Sequence, residues 1–297
     1  MVAASERKPE WFKVRLPGGE NYQRVKGLVQ GLGLSTICEE GHCPNIGECW
    51  GSGTMTLMLM GDTCTRGCRF CNVKTAKEGQ ALDPFEPHKV AWTVSQLGLE
   101  YVVLTMVDRD DLPDQGAAHV ARTIASLKQR APKLRVEVLT GDFRGDRAHI
   151  ATVLAAKPDV FAHNLETIER LQPKVRDPRA SYAQSLGVLR MAKDIDPTRF
   201  TKSSLMLGLG ETDDEVLQAM ADLRAVDCDV LTLGQYLRPS AWHLEVQEYV
   251  PPARFDALAA RAKELGFLYC AAGPLVRSSY KAGELFLNGL IEQRSSA

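Results

Sequence analysis

The sequence predicts an α/β protein built as a partial (β/α)6 TIM-like barrel with amino-terminal and carboxy-terminal extensions. From residue 54 onward, short apolar runs alternate with longer amphipathic segments, which is the pattern of a parallel sheet covered by helices. There are six such units, fewer than the eight that close a complete barrel. The predicted strands are 55–60, 101–107, 134–139, 160–162, 205–209 and 230–233.

The segments between these runs carry apolar residues at helical spacing. We predict barrel helices at 90–97, 117–127, 150–156, 182–192, 215–225 and 253–265. A further short helix is expected over 21–34, with Gly33 as its stop, and a last one from about Ala282. The predicted division of the chain is 1–53 for the amino-terminal extension, 54–266 for the barrel and 267–297 for the carboxy-terminal extension.

Charge and composition narrow the class of partner. The chain has 297 residues, and its 36 basic and 37 acidic residues nearly cancel. This balance gives no electrostatic basis for binding nucleic acid or an anionic membrane. No stretch approaches the roughly 20 apolar residues that span a bilayer, and the first ten residues lack a signal-peptide pattern. We therefore expect a cytoplasmic chain without nucleic-acid or membrane partners.

Six of the 8 cysteines fall into two triplets with different spacing. In a reducing compartment, clustered cysteines are more often metal ligands than disulfides, and each triplet would leave one thiol unpaired. The first triplet is Cys38-x4-Cys43-x5-Cys49, and the second is Cys64-x3-Cys68-x2-Cys71.

The second triplet predicts an iron–sulfur cluster held at three corners. Gly67 gives its loop freedom, and three closely spaced thiolates suit a cubane cluster. Structural zinc prefers paired cysteines that supply four ligands. A cluster held by three cysteines leaves one iron open to another ligand.

The first triplet lies on a predicted loop rich in Gly, Pro and Asn and is a candidate for a second cluster. One corner of that cluster is again not filled by the triplet. The candidates for it are His42, Cys228, Cys270 or an oxygen ligand from elsewhere. Cys228 and Cys270 both lie in apolar surroundings, which is typical of small buried residues.

Polar clusters follow several predicted strands, and ligands of parallel α/β folds bind at the carboxyl ends of strands. We expect these clusters to face one pocket together with the second triplet. They are 108–111, 163–166, 210–212 and 234–236.

The segment 64–71, Cys-Thr-Arg-Gly-Cys-Arg-Phe-Cys, resembles the signature of the radical S-adenosylmethionine superfamily. The segment 38–50 resembles the auxiliary-cluster motif of the lipoyl synthase family within it. Supporting stretches cover nearly the whole chain: 8–11, 107–111, 163–167, 206–212 and the Arg-Ser-Ser-Tyr motif at 277–280. One departure is Met106, which stands where the family usually has serine.

The resemblance implies two 4Fe–4S clusters and S-adenosylmethionine as cofactors. Cys64, Cys68 and Cys71 would hold the cluster whose open iron binds S-adenosylmethionine. Cys38, Cys43 and Cys49 would hold the second cluster, with Ser279 rather than Ser278 as its fourth ligand. A hydroxyl is a poorer match to iron than a thiolate, so this corner would release easily from a cluster that the family consumes as its sulfur source.

The resemblance also implies a binding site for S-adenosylmethionine. Its parts are expected beside Phe70 and Leu207 to Gly210 (adenine), Thr105 to Asp108 (methionine), Asn164 and Glu166 (ribose) and Arg179 (carboxylate). From the residues alone, Arg179 fits a surface ion pair equally well, and Glu166 a helix-start carboxylate.

The reaction so implied is that of a sulfurtransferase in lipoate biosynthesis. It inserts two sulfur atoms into an octanoyl chain linked to a lysine of a lipoyl carrier domain, with an electron donor as second partner. Removing hydrogen from an alkyl carbon requires a cofactor radical. The alternatives are a radical methylthiotransferase, which needs a longer amino-terminal domain and usually a nucleic-acid-binding tail, and an iron–sulfur electron carrier, which usually has four cysteines per cluster.

Overall fold

The computed structural model describes residues 8–14 and 16–279, and an eight-stranded sheet lies at their centre. The strand order is β1-β2-β5-β6-β7-β8-β9-β10; β1 is antiparallel to β2, and all other neighbours are parallel. A separate parallel pair, β3 and β4, lies beside it. The strands are β1 (Ser35–Thr36), β2 (Thr56–Leu59), β3 (Thr63–Cys64), β4 (Lys74–Thr75), β5 (Tyr101–Met106), β6 (Arg135–Leu139), β7 (Val160–Ala162), β8 (Phe200–Leu207), β9 (Val230–Gln235) and β10 (Tyr269–Gly273).

Helices follow most of the strands and cover the outer face of the sheet. They are α1 (Glu20–Gly31), α2 (Ile37–Glu40), α3 (Ile46–Gly51), α4 (Glu86–Leu97), α5 (Ala117–Arg130), α6 (Arg147–Ala155), α7 (Gln172–Val175), α8 (Tyr182–Ile195), α9 (Asp213–Ala225) and α10 (Pro252–Glu264). None of the helices in the described part of the chain is long and apolar enough to cross a bilayer.

The predicted fold class is confirmed, and each of the six predicted barrel strands is present. β2 and β9 are buried along their whole length, as expected for parallel strands covered on both faces. The structure adds a seventh parallel strand, β10, and the short antiparallel β1. β8 also starts five residues earlier than predicted, because its polar residues are buried with partners: the Lys202 ammonium lies 2.8 Å from the Glu137 carboxylate.

The loop predicted around the first cysteine triplet is wrong in part, because two short helices form there. α2 begins after Thr36, whose hydroxyl accepts a hydrogen bond from the Glu39 amide at 3.3 Å. Such a cap compensates one of the amide groups that a helix start leaves without a partner. Cys38 therefore lies in α2 and Cys49 in α3, with Cys43 between them.

The last described residues return to the start of the barrel. The Asn45 side-chain amide donates to the Leu275 carbonyl at 2.7 Å, and the Thr56 hydroxyl donates to the Ser279 hydroxyl at 2.8 Å. These contacts bring both serines of the Arg-Ser-Ser-Tyr motif beside β2 and the first triplet. Tyr280 and the helix predicted from Ala282 lie outside the described residues.

Candidate active site

A cavity of about 480 Å³ opens at the carboxyl ends of the parallel strands. Three of the four predicted polar clusters reach it, together with all three cysteines of the second triplet. The exception is 210–212, where the Thr212 hydroxyl instead caps α9 by accepting from the Glu215 amide. In its place β8 contributes Ser204, Leu205 and Met206. Met106, the residue that departs from the family pattern, also lines the cavity.

The loop with the second triplet is fixed by hydrogen bonds to its backbone. β3 and β4 pair on either side of it, at Thr63 with Lys74 and Cys64 with Thr75. The Gly67 amide donates to the Asp177 carboxylate at 2.8 Å, and the imidazole Nε2 of His243 lies 2.9 Å from the Cys71 carbonyl. The loop is therefore held in place by distant parts of the chain.

The thiols of this loop fit a cluster better than a single ion. Each thiolate of a cubane cluster bonds a different iron, so three separate thiols suit a cluster. Backbone amides of Arg66 and Asp177 donate to the sulfurs of Cys64 and Cys68, both at 3.4 Å, as is common around iron–sulfur clusters.

Burial keeps these thiols protonated unless a metal binds. It raises the pKa of Cys64 and Cys71 to about 12 and that of Cys68 to about 11. A metal that binds here must displace three protons, so occupancy falls as the pH falls. The donor set of three closely spaced thiols fits a thiolate-bound iron cluster.

A buried ion network lies directly behind the cysteine loop. The Arg66 guanidinium donates hydrogen bonds to two carboxylates, with Nε 2.8 Å from Asp110 and Nη1 2.6 Å from Asp142. All three side chains are at most 4% exposed. Burial alone would raise the pKa of Asp110, yet the Arg66 guanidinium brings it down to about 2. Burial likewise raises the pKa of Asp108, here to about 6.

Five of the predicted S-adenosylmethionine-binding residues line the cavity: Phe70, Thr105, Asp108, Asn164 and Glu166. Glu166 has a φ of 70°, and its backbone bonds β8 on both sides, through the carbonyl of Ser204 and the amide of Met206. Burial raises the pKa of its carboxyl. The Asn164 Oδ1 atom is buried without a hydrogen-bond partner among the described residues. Such an atom is normally satisfied, so it indicates a ligand.

Three further predicted residues do not reach the cavity. Arg179 is 45% exposed, and its guanidinium binds the Asp177 carboxylate at 2.8 Å and the Thr65 carbonyl at 2.6 Å. Leu207 is buried in the core, and Gly210 lies in the turn before α9. The cavity is lined instead by Arg176, which the sequence did not single out.

A second, smaller cavity of about 140 Å³ contains the first triplet. Cys38, Cys43 and Cys49 line it together with Ser279, and burial raises the pKa of Cys38 to about 11. Of the other candidates for a fourth ligand, His42 lines the larger cavity, whereas Cys228 and Cys270 line neither. Three thiols and a hydroxyl around one space form a donor set that suits iron.

The two cavities share a wall. Four residues line both of them: Ile37, Gly41, Arg277 and Ser278. One face of this wall looks toward the second triplet and the other toward the first. Both groups of thiols therefore lie close to this boundary.

Comparison with known proteins agrees with this architecture. The Radical SAM superfamily matches residues 58–223, and the N-terminal domain of lipoyl synthase of the Radical SAM family matches residues 3–43. Lipoyl synthase of Anaeromyxobacter dehalogenans is 61% identical, with 97% of this chain and 98% of that protein covered. The mitochondrial lipoyl synthase of Eremothecium gossypii is 57% identical, over 99% of this chain and 80% of that protein.

Solved structures are similar in fold at low identity. The FeFe-hydrogenase maturase HydG from Carboxydothermus hydrogenoformans gives a TM-score of 0.57 at 14% identity, covering 90% of this chain and 77% of that one. The superfamily match over residues 58–223, with the three-cysteine loop at the mouth of the partial barrel, defines a radical S-adenosylmethionine enzyme, which binds a 4Fe–4S cluster and S-adenosylmethionine. Within that superfamily, the chain belongs to the lipoyl synthase family. Membership of the lipoyl synthase family favours the lipoyl synthase function over that of a radical methylthiotransferase or an iron–sulfur electron carrier.

Proposed function

We propose that this chain inserts two sulfur atoms into an octanoyl chain bound to a lysine of a carrier domain, and that the first triplet supplies the sulfur. The observation that carries the proposal is the pair of thiol-lined cavities with a common wall. The partners of this chain are the octanoylated carrier domain, which is the protein substrate, and an electron donor.

In this proposal, Cys64, Cys68 and Cys71 hold the 4Fe–4S cluster that the superfamily uses. When bound with S-adenosylmethionine, the cluster supplies a 5′-deoxyadenosyl radical, which can take hydrogen from an unactivated carbon. The contribution of the protein is to orient the substrate and to keep water out. Buried apolar residues such as Leu205 and Val107 line the cavity and serve that second task.

The S-adenosylmethionine contacts follow from the lining of the larger cavity. Asn164 and Glu166 bind the ribose hydroxyls, Phe70 packs near the adenine, and Thr105 and Asp108 face the methionine part. We assign the carboxylate to Arg176 instead of Arg179, because the guanidinium of Arg179 is already engaged outside the cavity. Leu207 and Gly210 receive no contact.

We further propose that Cys38, Cys43, Cys49 and Ser279 bind a second 4Fe–4S cluster. This cluster is a substrate of the reaction, since its sulfide ends in the product. The Thr56 hydroxyl donates to the Ser279 Oγ atom at 2.8 Å, which uses one of the two Ser279 lone pairs and leaves the other for the metal. Because a hydroxyl binds iron more weakly than thiolates do, Ser279 is the ligand that can leave.

The proposal is tested by incubating the iron-loaded protein anaerobically with a reductant, S-adenosylmethionine and an octanoyl-lysine peptide. We expect 5′-deoxyadenosine and a peptide that has gained two sulfur atoms, with one S-adenosylmethionine cleaved for each carbon that receives sulfur. Mass spectrometry measures both products. Fully loaded protein that forms no 5′-deoxyadenosine would contradict the radical mechanism.

Gly234 offers a test of the contact between the barrel and the segment that carries Ser279. A Cβ atom at this position would lie 2.2 Å from the Val276 carbonyl oxygen, so alanine must displace the backbone just before Ser279. We expect Gly234→Ala to lower the iron content of the site formed by the first triplet and Ser279. It should also cost about 1–3 kcal/mol in unfolding free energy. Iron analysis and urea unfolding measure the two effects.

The matched control is Gly187→Ala in α8, where an added Cβ meets nothing within 4 Å. It should leave iron content unchanged and stabilise the protein by about 0.5–1 kcal/mol, because alanine favours helix more than glycine does. A Gly234→Ala variant with full iron content would disprove the role given to this contact.

A further inference from the structure

Arg176 is a buried cation without a direct ion pair among the described residues, and the carboxylates that act on its charge are those of Asp108 and Glu166. Arg176 is 9% exposed and lies at the end of α7, on the wall of the larger cavity. Within the described residues it forms no ion pair within 4 Å, and its Nε atom is buried without a hydrogen-bond partner. Buried arginines are normally paired directly with an anion, so the unpaired Nε donor indicates that an anion binds here.

The remaining contact of Arg176 runs to a hydroxyl in α8. Its Nη1 atom donates to the Ser185 Oγ at 2.6 Å, and that Oγ also lies 3.0 Å from the Nε2 atom of His163. Ser185 is fully buried and His163 is 2% exposed. The His163 Nδ1 atom completes the chain, 3.0 Å from the Thr140 carbonyl oxygen.

Each of the three hydrogen bonds that link Arg176, Ser185, His163 and Thr140 has a single possible direction. A carbonyl only accepts, so Nδ1 of His163 carries the proton. Burial and the nearby Arg176 lower the pKa of His163 to about 4, which leaves Nε2 as an acceptor. Ser185 must then donate its one proton to Nε2, and its oxygen accepts from Arg176. The hydroxyl of Ser185 is thus committed on both sides.

We infer that His163 and Ser185 are positioning residues, which hold the Arg176 guanidinium in the orientation that binds the carboxylate of S-adenosylmethionine. The inference rests on the carboxylate assignment made under the proposed function. It adds that the orientation is imposed from the carboxyl edge of the sheet: Thr140 follows β6, His163 follows β7, and α8 supplies the hydroxyl between them. A long, otherwise unpaired side chain would sample several rotamers without this link.

If these hydrogen bonds had a purely structural role, breaking them would affect folding and would weaken the binding of both ligands alike. It would not selectively weaken the binding of a ligand that carries the carboxylate. The two roles are separated by comparing S-adenosylmethionine with 5′-deoxyadenosine, which lacks the methionine part and therefore the carboxylate. Affinities are measured by anaerobic calorimetry on the iron-loaded protein without reductant, so that no turnover occurs. Iron content and thermal unfolding are recorded for each variant.

We expect Ser185→Ala to weaken S-adenosylmethionine binding about tenfold, the effect of losing one hydrogen bond to a charged group. Binding of 5′-deoxyadenosine should be unchanged. Arg176→Ala should weaken S-adenosylmethionine at least as much, and the double variant no more than Arg176→Ala alone. The control is Thr93→Val, which removes a buried hydroxyl that has no hydrogen-bond partner within the described residues and should change neither affinity.

A second pair of variants keeps the test decisive if Ser185→Ala loads poorly with iron. His163→Gln retains a donor for Thr140 and an acceptor for Ser185, so its affinity should stay within about threefold of the wild type. His163→Leu removes both and should resemble Ser185→Ala.

The failures are distinguishable. If Arg176→Ala weakens S-adenosylmethionine but Ser185→Ala and His163→Leu do not, the relay is disproved and the carboxylate assignment stands. If Arg176→Ala has no effect, the assignment itself is wrong. Equal losses for both ligands in Ser185→Ala would mean a structural role only.

Discussion

Replacing Cys38, Cys43 and Cys49 with alanine is expected to abolish sulfur insertion while leaving cleavage of S-adenosylmethionine in place. The three thiols line only the smaller cavity, and none of the residues proposed to bind S-adenosylmethionine lies there. Iron content should fall from about eight to about four atoms per chain, since each cubane cluster holds four. Iron analysis, 5′-deoxyadenosine release and peptide mass are the measurements.

Cys270→Ala is the control for removing a cysteine, because Cys270 lines neither cavity. It should keep the full iron content and form product. Sulfur insertion by the triple variant at more than background level would disprove the role of the first triplet as sulfur donor. Loss of 5′-deoxyadenosine as well would mean that the two sites are not independent.

The second large effect is expected at Arg66. Arg66→Met removes the buried cation between the carboxylates of Asp110 and Asp142. Asp142 then has no ion pair within the described residues, and Asp110 keeps only the more exposed Arg144 and Arg179. Breaking a buried ion pair by removing one partner costs about 3–5 kcal/mol. We expect that loss in urea unfolding, together with poor iron loading of the second triplet, because Arg66 lies between Cys64 and Cys68 in the loop.

Arg144→Ala is the matched comparison, since Arg144 binds the same Asp110 carboxylate at 3.1 Å but is 56% exposed. An exposed ion pair contributes about 0–1 kcal/mol. If both substitutions had similar effects on the unfolding free energy, burial would not be what makes Arg66 important.

The barrel could be predicted because its strands are apolar on both faces, which leaves a signal in each short stretch of sequence. β8 is the instructive exception. Thr201, Lys202 and Ser203 look like a surface segment, yet they are buried because Glu137 and other partners satisfy them. Such partners come from distant strands, and local patterns do not contain them.

Much of the candidate site could be predicted from cysteine spacing and from the polar residues at strand ends. Which of the two arginines, Arg176 or Arg179, lines the cavity could not be predicted from the sequence. The two arginines are three residues apart in one turn, and Asp177 binds the guanidinium of Arg179 at 2.8 Å. That ion pair turns Arg179 away, so the cavity receives Arg176. Pairing of β8 as far as Leu207 likewise directs Ser204 to Met206, and not Leu207 to Gly210, toward the cavity.

In the proposed reaction, the first triplet holds the sulfur that enters the product. The most direct measurement loads the protein with a heavy sulfur isotope as cluster sulfide and supplies unlabelled sulfide in solution during a single turnover. Mass spectrometry of the peptide should find the heavy isotope at both new positions. A product with unlabelled sulfur, formed while the label stays on the protein, would contradict the claim.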